Sequence, residues 1–139
     1  MDIVKIETFM KKQRTIGQLK KIAWKLFSEL IRRNAADFRG FVRCYICGVV
    51  KHWKEMDAAH YESRRFNSTL FDRQNVHACC KKCNIWLYGN MPKYALKLKQ
   101  DYGEGILETL NKRASILKQF TKQELENLII EFKNELSKL

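Results

Sequence analysis

Apolar residues recur at three- and four-residue intervals at both ends of the chain, and the middle breaks that rhythm. From Thr15 to Arg33, residues Ile16, Leu19, Ile22, Ala23, Leu26, Phe27, Leu30 and Ile31 keep the period of an amphipathic helix. Its polar face carries Lys20, Lys21, Lys25, Arg32 and Arg33, and Asn34 to Gly40 ends the pattern. Between Phe41 and Glu62 aromatic and β-branched residues become frequent around a Cys47-Gly48 turn, which predicts two short antiparallel strands. Ser63 to Gln74 reads as a polar loop. Helical spacing returns near Cys83 or Asn84, pauses from Gly89 to Pro92, and resumes through Tyr94, Leu96 and Leu98. Beyond Gly105 it continues through Ile106, Leu107, Leu110, Ile116, Leu117 and Phe120. Thr121 with Glu124 then has the form of a capping box opening a last helix striped with Leu125, Leu128, Ile129, Phe132 and Leu136. The order is helix, β-hairpin, loop, helices, which is an α+β chain. A single domain over 1–139 is expected, with a basic N-terminal helix (15–40), a core (41–100) and a helical C-terminal extension (101–139).

Composition narrows the class. The 139 residues suffice for one core, and 45% hydrophobic residues with six Gly and one Pro exclude a disordered tail. No apolar run is long enough to cross a bilayer, and Met1 to Arg14 lacks the apolar core of a signal peptide, so a cytoplasmic location without membrane contact is expected. Twenty-seven Lys and Arg against 15 Asp and Glu give a formal charge of +12, which calls for a polyanion and most directly nucleic acid. Residues 1–40, 41–100 and 101–139 carry excesses of +6, +7 and −1. The polyanion is therefore expected mainly at the first 100 residues, with the last 39 as scaffold or oligomer interface.

All five cysteines lie between Cys44 and Cys83. Cys44-Tyr-Ile-Cys47 and Cys80-Lys-Lys-Cys83 are two C-x2-C pairs, each able to present two thiolates to one tetrahedral ion. Four soft sulfur ligands suit a closed structural Zn²⁺ site that staples the hairpin to the later helix and leaves no coordination position for substrate. Cys79 breaks the spacing and is placed outside the site.

Between the knuckles lie Asp57-Ala-Ala-His60-Tyr-Glu62 and Asn75-Val-His77. A His closing a second strand, an Asn before the second knuckle and an Asn directly after its last Cys resemble the pattern of the HNH, or ββα-metal, nucleases. The version with two C-x2-C pairs is similar to phage endonuclease VII. The run from Lys20 to Glu29, the Cys44 knuckle, Val50 to Met56, the Ala59-His60 step and Asn75 through Asn84 together resemble the lambdoid phage NinG/Rap recombination nucleases, over roughly residues 15–105.

The resemblance implies a zinc-stapled ββα core and Mg²⁺- or Mn²⁺-dependent hydrolysis of DNA, with branched recombination intermediates such as Holliday junctions and D-loops as substrate. Within that frame a neutral imidazole suits activation of water near neutral pH, making His60 the candidate general base. Asn84 takes the position of the family's metal ligand, its alternative being a helix N-cap. Asn75 matches the Asn that braces the loop and orients the His-bearing strand. The position before the base, often a second ligand, is Ala59. Asp57 shares a strand face with Ala59 and should point away from His60, whereas Glu62 falls on His60's side; either carboxylate is a candidate Mg²⁺ ligand. Arg64, Arg65 and Arg73, with Lys20, Lys21, Lys25, Lys81 and Lys82, are candidate DNA contacts. His52 is expected at the surface near Trp53, His77 packed near the second knuckle, and Trp24, Trp53 and Trp86 in the core. A homodimer formed through the helices after Gly105 would place two sites on paired strands. The competing functions are a non-catalytic zinc module that binds nucleic acid and a small protein-interaction domain.

Overall fold

A computed structural model of the chain describes residues 2–5 and 14–139, so the reading of Met1 to Arg14 lies largely outside the described residues. Helix α1 (Ile16–Asn34) begins at Thr15, whose hydroxyl accepts the Gln18 amide at 3.1 Å while the Gln18 side chain accepts the Thr15 amide at 2.9 Å. This reciprocal capping box fixes the start of the helix, and Arg32 and Arg33 in the last turn complement its dipole.

Strands β1 (Phe41–Arg43) and β2 (Val50–His52) form an antiparallel hairpin around the first cysteine knuckle, with Gly48 at φ 83° in the turn. A single 3-10 turn, Trp53–Glu55, leads into β3 (Met56–His60). The strand bearing His60 is not the partner of β1: it pairs antiparallel with β4 (Val76–Cys80), in a register running from Met56 opposite Cys80 to His60 opposite Val76. Two separate two-stranded sheets thus replace the one hairpin expected over Phe41–Glu62. The expected polar loop contains a short helix, α2 (Asn67–Leu70), held down by buried Thr69 and Leu70.

After β4 the chain makes one π-helical turn, Lys82–Trp86, then α3 (Met91–Tyr102), with Pro92 in its first turn, and α4 (Ile106–Ala114). The run expected through Phe120 stops as helix at Ala114. Helix α5 (Lys122–Ser137) starts where Thr121 accepts the Glu124 amide at 3.1 Å; the Glu124 carboxylate turns instead to Lys118 at 2.6 Å.

Two apolar clusters flank the β3–β4 ribbon. On one side Leu19, Ala23, Phe27 and Leu30 of α1 meet Leu125, Ile129 and Phe132 of α5, with Val76 and Leu70 between them. On the other, Ala59 and Cys79 pack with Val42, Tyr94, Leu98 and Leu110. The C-terminal segment therefore forms one wall of a core. Among the described residues no helix is long and apolar enough to cross a membrane. Phe27, with no exposed surface, meets the rings of Phe71 and Phe132 at 5.5 and 5.2 Å. Phe27→Ala should cost about 3–5 kcal/mol in urea unfolding, whereas truncating the exposed Leu96 of α3 to Ala should stay within roughly 0.5 kcal/mol.

Candidate metal centre and adjoining cationic cleft

The β1–β2 turn brings Cys44 and Cys47 against Cys80 at the end of β4 and Cys83 in the π turn. All four sulfurs lie within 4.8 Å of one another. A tetrahedral ion with Zn–S bonds of about 2.3 Å requires S···S separations near ~3.8 Å, and the Cys47–Cys80 pair stands at 3.7 Å. Backbone amides of Cys80 and Cys47 reach Cys44 Sγ at 3.3 and 3.5 Å, and Asn90 Nδ2 reaches Cys83 Sγ at 3.6 Å. Donors aimed at the sulfurs stabilise thiolates and orient the ligands. The four cysteines are thus positioned to hold one metal ion, and the donor set suits zinc. Cys79 is fully buried beside Cys44 and stands outside the four-sulfur group; hydrogen bonding to Cys44 and burial push its thiol pKa up, and the same bond pulls Cys44 down to about 3. Burial pushes the Cys83 thiol up to about 12, so metal binding must displace its proton.

Beside this centre opens a cleft of about 410 Å³. Trp24, Ser28 and Arg32 line it at successive four-residue steps along α1, opposite Asp57 and Ala58 of β3 and Asn84 of the π turn, with Lys54, Arg64 and Lys81 completing it. Asp57 Oδ1 accepts Lys81 at 2.7 Å and Asp57 Oδ2 accepts Asn84 Nδ2 at 3.1 Å. One carboxylate and one amide therefore share the cleft with four cations. Arg32 is pinned by the Ser28 carbonyl at 3.1 Å and lies over the Trp53 ring at 5.3 Å; its burial lowers its pKa against the pull of Glu29 and Asp57.

His60 lies on the ribbon face turned to α1, stacked on Trp24 at 4.7 Å, with Arg64 over that indole at 5.2 Å. Its Nε2 is 3.1 Å from the Leu70 carbonyl. A carbonyl can only accept, so Nε2 carries the hydrogen and Nδ1 keeps its lone pair. Burial and the Arg64 charge lower the His60 pKa, outweighing the opposite effect of the Leu70 carbonyl, so the ring is neutral at pH 7.

Asn75, fully buried, explains why the carbonyl stays there. Its Nδ2 donates to the Glu62 and Thr69 carbonyls at 3.0 and 3.1 Å, and its Oδ1 accepts the Glu62 amide at 2.7 Å. These bonds tie the end of β3 to the residue next to Leu70. From the opposite face Tyr94 donates to the Ala59 carbonyl at 2.8 Å.

The sequence-derived residues thus separate. Asp57, Asn84, Lys81 and Arg64 meet in the cleft, and His60 lies under its Trp24 wall. Lys20 and Lys21 line an adjoining hollow of about 540 Å³ that shares Trp24 and Arg64. Glu62 lies beyond the end of β3, where strand alternation no longer applies, and outside the lining of the cleft; Asp57, expected to face away, borders it. Arg73 is held by Glu135 of α5 at 2.5 Å. Arg65, Lys25 and Lys82 are exposed and line neither hollow. His52 accepts the Lys54 amide at 3.2 Å beside Trp53, and His77 is clasped between Tyr94 and Tyr102 hydroxyls, each at 2.9 Å. Trp24 and Trp53 are half-buried, but Trp86 is exposed and belongs to no core. Ser28 and Lys54 carry no role in the sequence reading, and Arg32 enters it only as part of the basic face of α1; the four-residue spacing of Trp24, Ser28 and Arg32 is the available signal.

Four cysteines positioned to hold one metal ion where two β-ribbons meet, beside a cleft lined by four cationic side chains, define an α+β protein with a candidate metal centre. The family model for the bacteriophage lambda NinG protein matches residues 4–139, and the chain belongs to that family. No curated protein and no solved structure matches it.

Purified protein should carry one zinc per chain by elemental analysis, and Cys44→Ser or Cys83→Ser should lose the ion together with cooperative unfolding. Asn75→Ala strands three backbone partners, of which the Thr69 carbonyl is buried, and should cost about 3 kcal/mol in thermal or urea unfolding.

Proposed function

We propose that this protein is an HNH-type, metal-dependent DNA endonuclease that hydrolyses phosphodiester bonds in branched recombination intermediates, with structural zinc in the cysteine centre and Mg²⁺ or Mn²⁺ in the cleft. What carries the reading is His60: neutral, fixed through Nε2 on the Leu70 carbonyl, its Nδ1 without a hydrogen-bond partner among the described residues, and stacked on Trp24, which lines a cleft holding four cationic side chains. Membership of a phage family supports a place of action in the cytoplasm of a bacterial host.

The residues divide the work as follows. Arg32, Lys54, Arg64 and Lys81 attract the phosphate, guanidinium groups offering paired donors to its oxygens. Asp57 and the Asn84 amide oxygen are the hard donors that would hold the divalent cation, Asp57 exchanging Lys81 for it. Bound there, the cation would stabilise charge on the phosphate and the leaving oxygen. His60 Nδ1 takes the proton of the attacking water, and the resulting imidazolium keeps its Nε2 bond to Leu70. Asn75 and Trp24 hold the ring in place. Ile116, Leu117 and Ile130 are exposed apolar residues after Gly105 on which a second copy would dock to cut paired strands.

A non-catalytic nucleic-acid-binding role is the second reading, favoured by the Lys81–Asp57 ion pair, which already neutralises the cleft's carboxylate.

Labelled four-way junction and linear duplex, incubated with wild type and His60→Ala with and without Mg²⁺ or Mn²⁺, separate the two. Wild type should cut the junction only with added metal, and His60→Ala should be slower by roughly 10²–10⁴-fold while keeping its zinc and its DNA affinity. Shifting both DNAs without ever cutting either would establish the binding-only role. Because the His60 pKa is lowered, the active neutral ring persists at pH 7, and the rate should fall only as pH drops below the ordinary histidine value of about 6.5. An acid limb centred above that value would remove His60 as the base.

A further inference from the structure

The misplaced tryptophan marks a second functional surface. Ile85, Trp86, Leu87 and Tyr88 follow the cleft residue Asn84 directly and are 55%, 76%, 45% and 90% exposed. Isolated exposed apolar side chains are ordinary, but four in succession with two large aromatics form a patch that requires an occupant. The segment is also held out deliberately. Tyr88 and Asn90 adopt left-handed φ values of 51° and 47°, which non-glycine residues take at a cost and keep only where the surroundings impose them. The surroundings here are the metal knuckle: the Gly89 amide donates to the Cys83 carbonyl at 2.9 Å, and Asn90 Nδ2 to Cys83 Sγ at 3.6 Å.

The charge around the patch selects the occupant. From Arg73 to Gln100 the chain contains six Lys and Arg and no Asp or Glu, and Lys81, Lys82 and Lys93 beside the tip are exposed. A second copy would oppose lysines to lysines. Bases attached to phosphates satisfy both features, since every base has a π-face for an aromatic ring and every linkage a negative charge for a lysine. In an intact duplex these faces are covered by neighbouring bases. They are open where strands part.

We propose that the Ile85–Tyr88 tip stacks, through Trp86 and Tyr88, on unpaired or unstacked bases at the branch point of a DNA substrate, and so selects branched DNA over duplex. The proposal rests on the DNA-nuclease reading for its substrate. It adds the element by which the site recognises an open structure.

The test measures binding alone, by fluorescence anisotropy of the zinc-loaded full chain without Mg²⁺ or Mn²⁺, on a labelled four-way junction, an oligo-dT single strand and a linear duplex. Trp86→Ala and Tyr88→Ala should each weaken junction and oligo-dT binding by about ten-fold or more and duplex binding by less than about two-fold, the remaining affinity coming from phosphate contacts. Trp86→Phe should restore affinity, and Trp86→Leu, apolar but without a ring, should not. Equal loss on all three DNAs, no loss, or Leu serving as well as Phe would overturn stacking; so would Trp86-dependent binding to anionic lipid vesicles with DNA affinity unchanged. The Phe and Leu pair, both filling the position, decides the matter even if Trp86→Ala loses its zinc. Failure of the nuclease reading would show separately, as uncut junction after Mg²⁺ addition with these affinity differences intact.

Discussion

Four cysteine sulfurs within 4.8 Å of one another are the constraint on which the rest of the structure depends. Strands β1 and β2 have three residues each, too few to persist as an isolated hairpin in water. What holds them is the first knuckle closing on the second. The same closure orders the π turn, sets Asn84 opposite Asp57 and tethers the exposed tip through Asn90. A closed site of this kind contributes folding free energy and leaves no open coordination position.

The cleft beside it lies between α1 and the β3–β4 ribbon. Helix α1 supplies Trp24 and Arg32, and its own position depends on the Phe27 contact with α5. The buried Asn75 locks the loop that presents the Leu70 carbonyl, which in turn dictates the tautomer of His60. The tautomer of His60 therefore depends on a buried amide that satisfies three backbone groups at once.

Local signals were readable in the chain and distant pairings were not. The Thr121 cap, the apolar stripe from Ile16 to Ile31 and the C-x2-C spacing depend on neighbours a few residues apart, and each corresponds to an observed feature. The pairing of β3 with β4 spans the loop from Tyr61 to Asn75, and Val76–Cys80 carries no alternation because both of its faces are covered. For the same reason the register did not reveal that Asp57, rather than Glu62, borders the cleft. Residue type alone suggests a core place for Trp86, but it is exposed, two residues before a left-handed turn at Tyr88 and Asn90. Arg73 looked like a phosphate ligand until Glu135, 62 residues away, was found against it.

We propose that two metals would act separately, one held by the four cysteines and the other in the cleft bordered by Asp57 and Asn84. The most direct measurement follows zinc content and junction cleavage together as Mg²⁺ is titrated into zinc-loaded protein. The account predicts a constant one zinc per chain, no cleavage at zero Mg²⁺, and a saturable rise in cleavage that Asp57→Ala shifts to higher Mg²⁺. Cleavage by the zinc-loaded protein without added Mg²⁺, or an Mg²⁺ dependence untouched by Asp57→Ala, would contradict it.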